Sequence, residues 1–183
     1  MSEIYPTEQW ERVEPGAVGI DADRLEEARR WLDAEAGEKP YRVVIVREGR
    51  IAAEWNKGIG PDRRRNLASA AKSLYSCMLG IAVAEGKVSS ADDRVVDYCP
   101  EMMDVPEGRG PKPGRHAKPV DRDITFRQLI CNTSGYMKPG ETPGAQFHYQ
   151  TFGMNILTHA IASTYGLYDS ENPEDRPGMG RLI

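Results

Sequence analysis

The sequence predicts a mixed α/β (α+β) chain in which an N-terminal helix and a β-hairpin precede a mainly helical part. Three observations carry that reading: a capped amphipathic stretch over 22–36, two β-branched runs around Glu48-Gly49-Arg50, and apolar segments of helical period beyond Ser69. At 183 residues, against about 150 per domain, one domain is expected, with 1–60 as the helix and hairpin layer and 61–183 as the helical part. Its 39% hydrophobic and 28% charged residues can build a core and exclude disordered or collagenous classes.

Each element has a local cause. Asp21 is placed to cap a helix over Ala22–Ala36, with Leu25, Ala28, Trp31, Leu32 and Ala36 as a stripe expected to lie on a sheet, and Gly37 as the stop. Tyr41–Arg47 and Ile51–Trp55 read as paired strands with Glu48-Gly49-Arg50 as turn material. From Ser69 to Glu85 the order places Leu74, Cys77, Met78, Ile81 and Ala82 on one face, ahead of Gly86. Its polar side chains crowd the first turns, as in a central helix whose start opens on a cleft. Asp92–Tyr98 and Thr125–Cys131 read as short helices. Pro106–Pro119 reads as an irregular basic loop, with Arg109, Lys112, Arg115 and Lys118, that can border a site. A last helix is expected from Thr151 or Phe152 to Gly166, with Phe152, Ile156, Ala160 and Ile161 inward, before a turn-rich tail ending at Leu182-Ile183.

Charge narrows the function. With 24 Lys+Arg against 28 Asp+Glu the net charge is −4, so nucleic acid and anionic membranes are not expected partners. The Arg63-Arg64-Arg65 run reads as a solvated approach segment. Cys77, Cys99 and Cys131 are too scattered for a disulfide framework or a metal knuckle, so reduced thiols are expected and no metal site. Residues 1–14 carry Glu3, Glu8, Glu11 and Glu14 and resemble no secretory signal, which points to a cytoplasmic protein.

The sharpest local feature is Ser69-Ala70-Ala71-Lys72, a Ser-x-x-Lys opening the longest apolar helix. Three residues apart, the two side chains lie one turn apart on one side, so the amine reaches the hydroxyl. A serine is a weak nucleophile until a base takes its proton, and a lysine serves as that base when desolvation or neighbouring cations lower its pKa. The helix start favours an anion at Ser69. About 0.3 such motifs arise by chance at this composition, and the ordinary alternative is a capping serine beside a solvated lysine. Tyr149, in Phe147-His148-Tyr149-Gln150-Thr151, is a candidate second acid/base; its alternative is a packed tyrosine with a satisfied hydroxyl. A histidine-based triad is weaker, since His148 and Tyr149 point in different directions in most backbone conformations and His159 sits within a helix with no evident partner.

These residues resemble the serine β-lactamase and penicillin-recognising superfamily, especially its class C β-lactamase-like, esterase and aminohexanoate-oligomer hydrolase branch. The likeness runs through VGIDADRLEEA, VVIVREGRIAAEW, LASAAKSLYSCMLGIAVAEGKVSSADDRVVDYCPEM, ITFRQLICNTSGY and FHYQTFGMNILTHAIASTYG, in family order. It implies a β-lactamase/transpeptidase-like fold and acyl transfer to water through an ester on Ser69. Lys72 is then the base, and Tyr149 the tyrosine of the family's Tyr-x-Asn that shuttles the proton. The resemblance implies no cofactor and a small ester, amide or lactam as substrate.

The chain departs from the family at two places. Thr151 stands where the motif has Asn and lacks an amide's paired donor and acceptor, so substrate recognition there is altered. The late-strand Lys-Thr-Gly or His-x-Gly motif is absent. That strand supplies the family's second oxyanion donor, and losing such a donor costs about 2.7–4 kcal/mol of transition-state stabilisation. The sequence therefore reads as the N-terminal portion of a longer enzyme, its C-terminal strands missing. Besides the hydrolase, it admits a non-catalytic module whose open sheet edge self-associates or takes a partner strand, and an unstable fragment.

Overall fold

In a computed structural model of the chain, which describes residues 9–60, 63, 64 and 66–172, Asp21 opens helix α1 (Ala22–Ala36) as expected. Its carboxylate accepts the N–H groups of Asp23 at 3.0 Å and Arg24 at 3.1 Å, satisfying two donors that a helix start leaves orphaned. Gly37, at φ +54°, ends the helix. The expected apolar stripe is only partly covered: Leu25, Leu32 and Ala36 are half-buried, whereas Ala28 is exposed and Trp31 is 66% exposed. A polar cluster ties α1 to the strands instead. Asp33 accepts the Tyr41 hydroxyl at 2.6 Å and faces Lys57 Nζ at 3.5 Å.

Strands β1 (Tyr41–Arg47) and β2 (Arg50–Lys57) form an antiparallel hairpin. Glu48 and Gly49 both lie in the left-handed region, φ +52° and +74°, the two-residue turn whose twist matches the strands. Arg50 therefore belongs to β2 and pairs with Arg47, not to the turn. Ile45 pairs with Ala53 but Val46 with Ile51, which leaves Ala52 as the extra residue of a bulge. Residues 11–13, unmarked in the hydrophobic pattern, run beside β2: Val13 N–H donates to the Ile51 carbonyl at 3.0 Å and Ile51 N–H to that of Glu11 at 2.9 Å.

The described residues up to Asn66 form one compact unit and those from Leu67 a second. The second holds α2 (Lys72–Ala84), α3 (Phe126–Ile130) and α4 (Thr151–Thr164), joined by irregular chain and short 3₁₀ turns. Helix α4 packs on both α2 and α3 over a core that includes Leu79, Phe126, Leu129, Tyr136, Leu157 and Ile161. Thr125 caps α3 reciprocally with Gln128, and the buried Tyr136 hydroxyl donates to the Met102 carbonyl.

Two expectations are corrected. Helix α2 buries Leu79, which the expected face lacked, and Ala82, which it included, while Leu74, Cys77 and Ile81 of that face are exposed and Met78 is half-buried. The helix is apolar nearly all round, so periodicity had no polar side from which to choose the buried face. Asp92–Tyr98 is not an α-helix: only Val95–Asp97 makes a 3₁₀ turn, because Arg94 instead bridges to Thr125. Pro106–Lys118 is irregular, as expected. Arg65 and the tail from residue 173, Leu182 and Ile183 included, lie outside the described residues. Among the described residues no helix is long and apolar enough to cross a membrane.

Because Leu79 is 5% exposed and Ile81 is 54% exposed, Leu79→Ala should lower unfolding free energy by about 2–5 kcal/mol and Ile81→Ala by less than about 1 kcal/mol. Urea unfolding of the two variants checks which face of α2 is inside.

Candidate active site

The serine sits one element earlier than expected. Ser69 lies in the 3₁₀ turn Ala68–Ala71, and Lys72 begins α2, its backbone N–H bonded to the Ser69 carbonyl. Lys72 Nζ donates to Ser69 Oγ at 3.1 Å. Ala68, immediately before the serine, has φ +47°, a left-handed conformation that costs a non-glycine residue about 1–2 kcal/mol and that no sequence signal marks. Among the described residues Ser69 is exposed and Lys72 half-buried.

Tyr149 reaches this pair from the other end of the unit. Lys72 Nζ lies 5.4 Å from the centre of its ring. Interaction with Ser69, and then with Lys72, outweighs desolvation and holds the Tyr149 hydroxyl below the usual phenol value. Asn132 fixes the flanking backbone: its carbonyl accepts His148 N–H at 2.7 Å and its Oδ1 accepts Gln150 N–H at 3.1 Å. Asn132 has φ +56°, a left-handed conformation that asparagine tolerates better than most residues. The Gln150 amide donates to Ser134 Oγ at 3.1 Å, which adds a second tie to the same loop. Thr151, exposed, is the first residue of α4.

A charged cluster missed in the sequence buttresses this strand of chain. Glu141 Oε1 faces His148 Nδ1 at 2.8 Å and Lys138 Nζ at 3.4 Å, and the Lys138 and Glu141 side chains are 8% and 11% exposed. Gly135, at φ +61°, lets the loop close over Glu141; a Cβ there would stand 2.9 Å from the Glu141 Cβ. Burial pushes the Glu141 carboxyl up, but the His148 hydrogen bond and the Lys138 charge outweigh it and hold the group below its ordinary 4.5. The Lys-x-x-Glu spacing was the available signal, and it is too common on surfaces to have stood out.

The other candidates are accounted for. His148 turns to Glu141, and His159 stacks on Tyr168 with ring centres 4.2 Å apart. Cys77, Cys99 and Cys131 are free, and burial pushes the Cys99 thiol well up. Among the described residues no group of three or more His, Cys, Asp and Glu could hold a metal.

The Beta-lactamase family model matches residues 25–170, and the chain belongs to that family. One similar solved structure is a Bacteroides dorei DSM 17855 protein provisionally assigned as a beta-lactamase, at 18% identity and TM-score 0.60, covering 80% of this chain and 47% of that one. Another is a class C beta-lactamase with one tyrosine replaced by phenylalanine, at 16% identity and TM-score 0.57, covering 84% and 46%. The likeness carries the expected β-lactamase/transpeptidase-like fold. The chain spans about half the length of these structures. Among curated proteins none matches it.

A carboxylate with a lowered pKa contributes stability that is present above its unfolded value and lost as pH falls through the folded one. Thermal unfolding followed from about pH 6 to about pH 3 should therefore show a loss of stability below 4.5 that is smaller in Glu141→Gln than in the unaltered chain.

Proposed function

We propose that the chain carries the nucleophile of a serine hydrolase that transfers an acyl group from a small ester, amide or lactam to water. The observation that supports this best is Lys72 Nζ at 3.1 Å from Ser69 Oγ, with Tyr149 beside them. In this reading Ser69 Oγ attacks the carbonyl carbon while its proton passes to an uncharged Lys72 amine. The tetrahedral intermediate collapses, the leaving oxygen or nitrogen takes that proton by way of Lys72 and the Tyr149 hydroxyl, and an ester remains on Ser69. Water activated by the same pair then attacks that ester, releases the acid and returns the proton to Ser69. Thr151 is the substrate-binding residue. No metal or organic cofactor enters these steps, and a cytoplasmic location accompanies the reading.

A second reading, a non-catalytic module completed by another chain, is favoured by one observation. Val44 and Val46 of β1, each 47% exposed, sit on a sheet that has two strands among the described residues. Self-association through β1 predicts an elution volume in size-exclusion chromatography that shifts with loading concentration. A concentration-independent monomer contradicts it.

The hydrolase reading predicts graded losses in turnover of a chromogenic short-chain ester. Ser69→Ala should abolish it, Lys72→Ala should lower kcat by about 10²–10⁴, and Tyr149→Phe should lower it by about 10–10², with the fold checked by circular dichroism. Hydrolysis by Ser69→Ala at the unaltered rate would refute the reading.

A further inference from the structure

Tyr149 stands beside Lys72 with little packing to hold it there. Its ring is 56% exposed, that of Phe147 is 66% exposed, and neither belongs to the core of its unit. An exposed tyrosine samples several rotamers unless its backbone and neighbours choose for it. The place of the phenol is therefore decided at residues 148 and 150.

Those two residues grip one loop from the same side. Gln150 is extended, φ −147° and ψ 133°, and along extended chain successive side chains point to opposite faces. His148 and Gln150 thus share a face, and Tyr149 takes the other. Both flanking side chains reach into residues 134–141: the Gln150 amide donates to Ser134 Oγ at 3.1 Å, and His148 Nδ1 stands 2.8 Å from Glu141 Oε1. The receiving loop is itself tied down. Lys138 N–H donates to the Gly135 carbonyl at 2.8 Å, Gly144 N–H to that of Thr133 at 2.8 Å, and Met137 N–H to the buried Asp121 carboxylate at 3.3 Å.

Stability does not account for the charged anchor. The Lys138 and Glu141 side chains are 8% and 11% exposed, and Glu141 Oε2 is buried with no hydrogen-bond partner among the described residues. A buried ion pair gains little over an apolar pair of the same size, and an unpartnered carboxylate oxygen costs free energy outright. What the arrangement supplies is direction, since Glu141 Oε1 fixes a half-exposed imidazole one residue from Tyr149.

We propose that His148, clamped by Glu141, is a positioning residue that turns Tyr149 toward the Ser69–Lys72 pair; the proposal rests on the hydrolase reading above. Releasing the clamp frees the phenol without removing any group that takes part in proton transfer. The signature is the lowered titration of Tyr149, caused by Ser69 first and then Lys72 against desolvation, because it lasts only while the phenol is held beside them. Lys112, Arg115, Lys138 and His148 line the same cleft as Tyr149. The first three stay in place when His148 is replaced, and an imidazole is uncharged where phenols titrate, so the replacement moves the signature by position and not by charge.

Nuclear magnetic resonance of the chain with isotope-labelled tyrosine follows the phenol directly, the Tyr149 signal being identified by its loss in Tyr149→Phe. In the unaltered chain Tyr149 should titrate below free tyrosine in the same buffer. His148→Leu should bring it up to the free value, while His148→Asn, whose amide N–H replaces Nδ1–H, should keep it low. Circular dichroism melts establish that each variant is folded. With the chromogenic ester, His148→Leu should lower kcat by about 10–10² with KM unchanged within about twofold, and adding Tyr149→Phe should bring no further loss. A Tyr149 signal that titrates like free tyrosine in the unaltered chain, one that stays low in His148→Leu, or losses that multiply in the double variant overturn the proposal. The titration needs no turnover, so the two readings fail separately: a titration that moves in a chain without esterase activity sinks the hydrolase alone, and activity with an unmoved titration sinks the positioning alone.

Discussion

Two hydrogen bonds to Asn132 decide whether the proposed chemistry has its second acid/base. Ser69 and Lys72 are neighbours in the chain, and a helix start brings them together with no help from elsewhere. Tyr149 has no such local reason to be there. It arrives because Asn132 holds the backbone on either side of it, at His148 and Gln150, and because α4, which begins two residues later, packs on α2. A loop residue in a left-handed conformation thus links the α3 end of the unit to the start of α4. The hydrophobic contact of Leu79 with its α4 neighbours then fixes where that start can lie.

How much of this was legible in the sequence depends on whether the signal was local. Caps and turns were: Asp21, Gly37 and the Glu48-Gly49 turn each satisfy or bend their own backbone, so residue type and position sufficed. The Ser69–Lys72 pair was legible for the same reason. The buried face of α2 was legible only at Ala82, because a helix apolar nearly all round carries little phase, and the packing buries Leu79 in place of Cys77 and Ile81. Nor was the Lys138–Glu141–His148 cluster, which exists only once the loop folds back on itself over Gly135. Arg94 shows the same limit from the other side, since its pairing with Thr125 displaced a helix that local propensity favoured.

Among the described residues the Ser69–Lys72 pair is open to solvent, and that bears on its electrostatics. Ser69 is exposed and Lys72 is half-buried, so water weakens every charge interaction between them. What the described residues supply is preorganisation: a strained Ala68 ahead of the serine, a hydrogen bond already made to the amine, and a tyrosine anchored on both sides. The chain spans about half the length of the similar solved structures.

The central claim is that Ser69 becomes covalently acylated. Acid-quenching the chain in the presence of a slowly released acyl donor, followed by peptide mapping by mass spectrometry, reads this directly. The account predicts the mass of the acyl group on the peptide that contains Ser69 and its disappearance as product forms. Product released with that peptide unmodified, or with the acyl group on another residue, would contradict it.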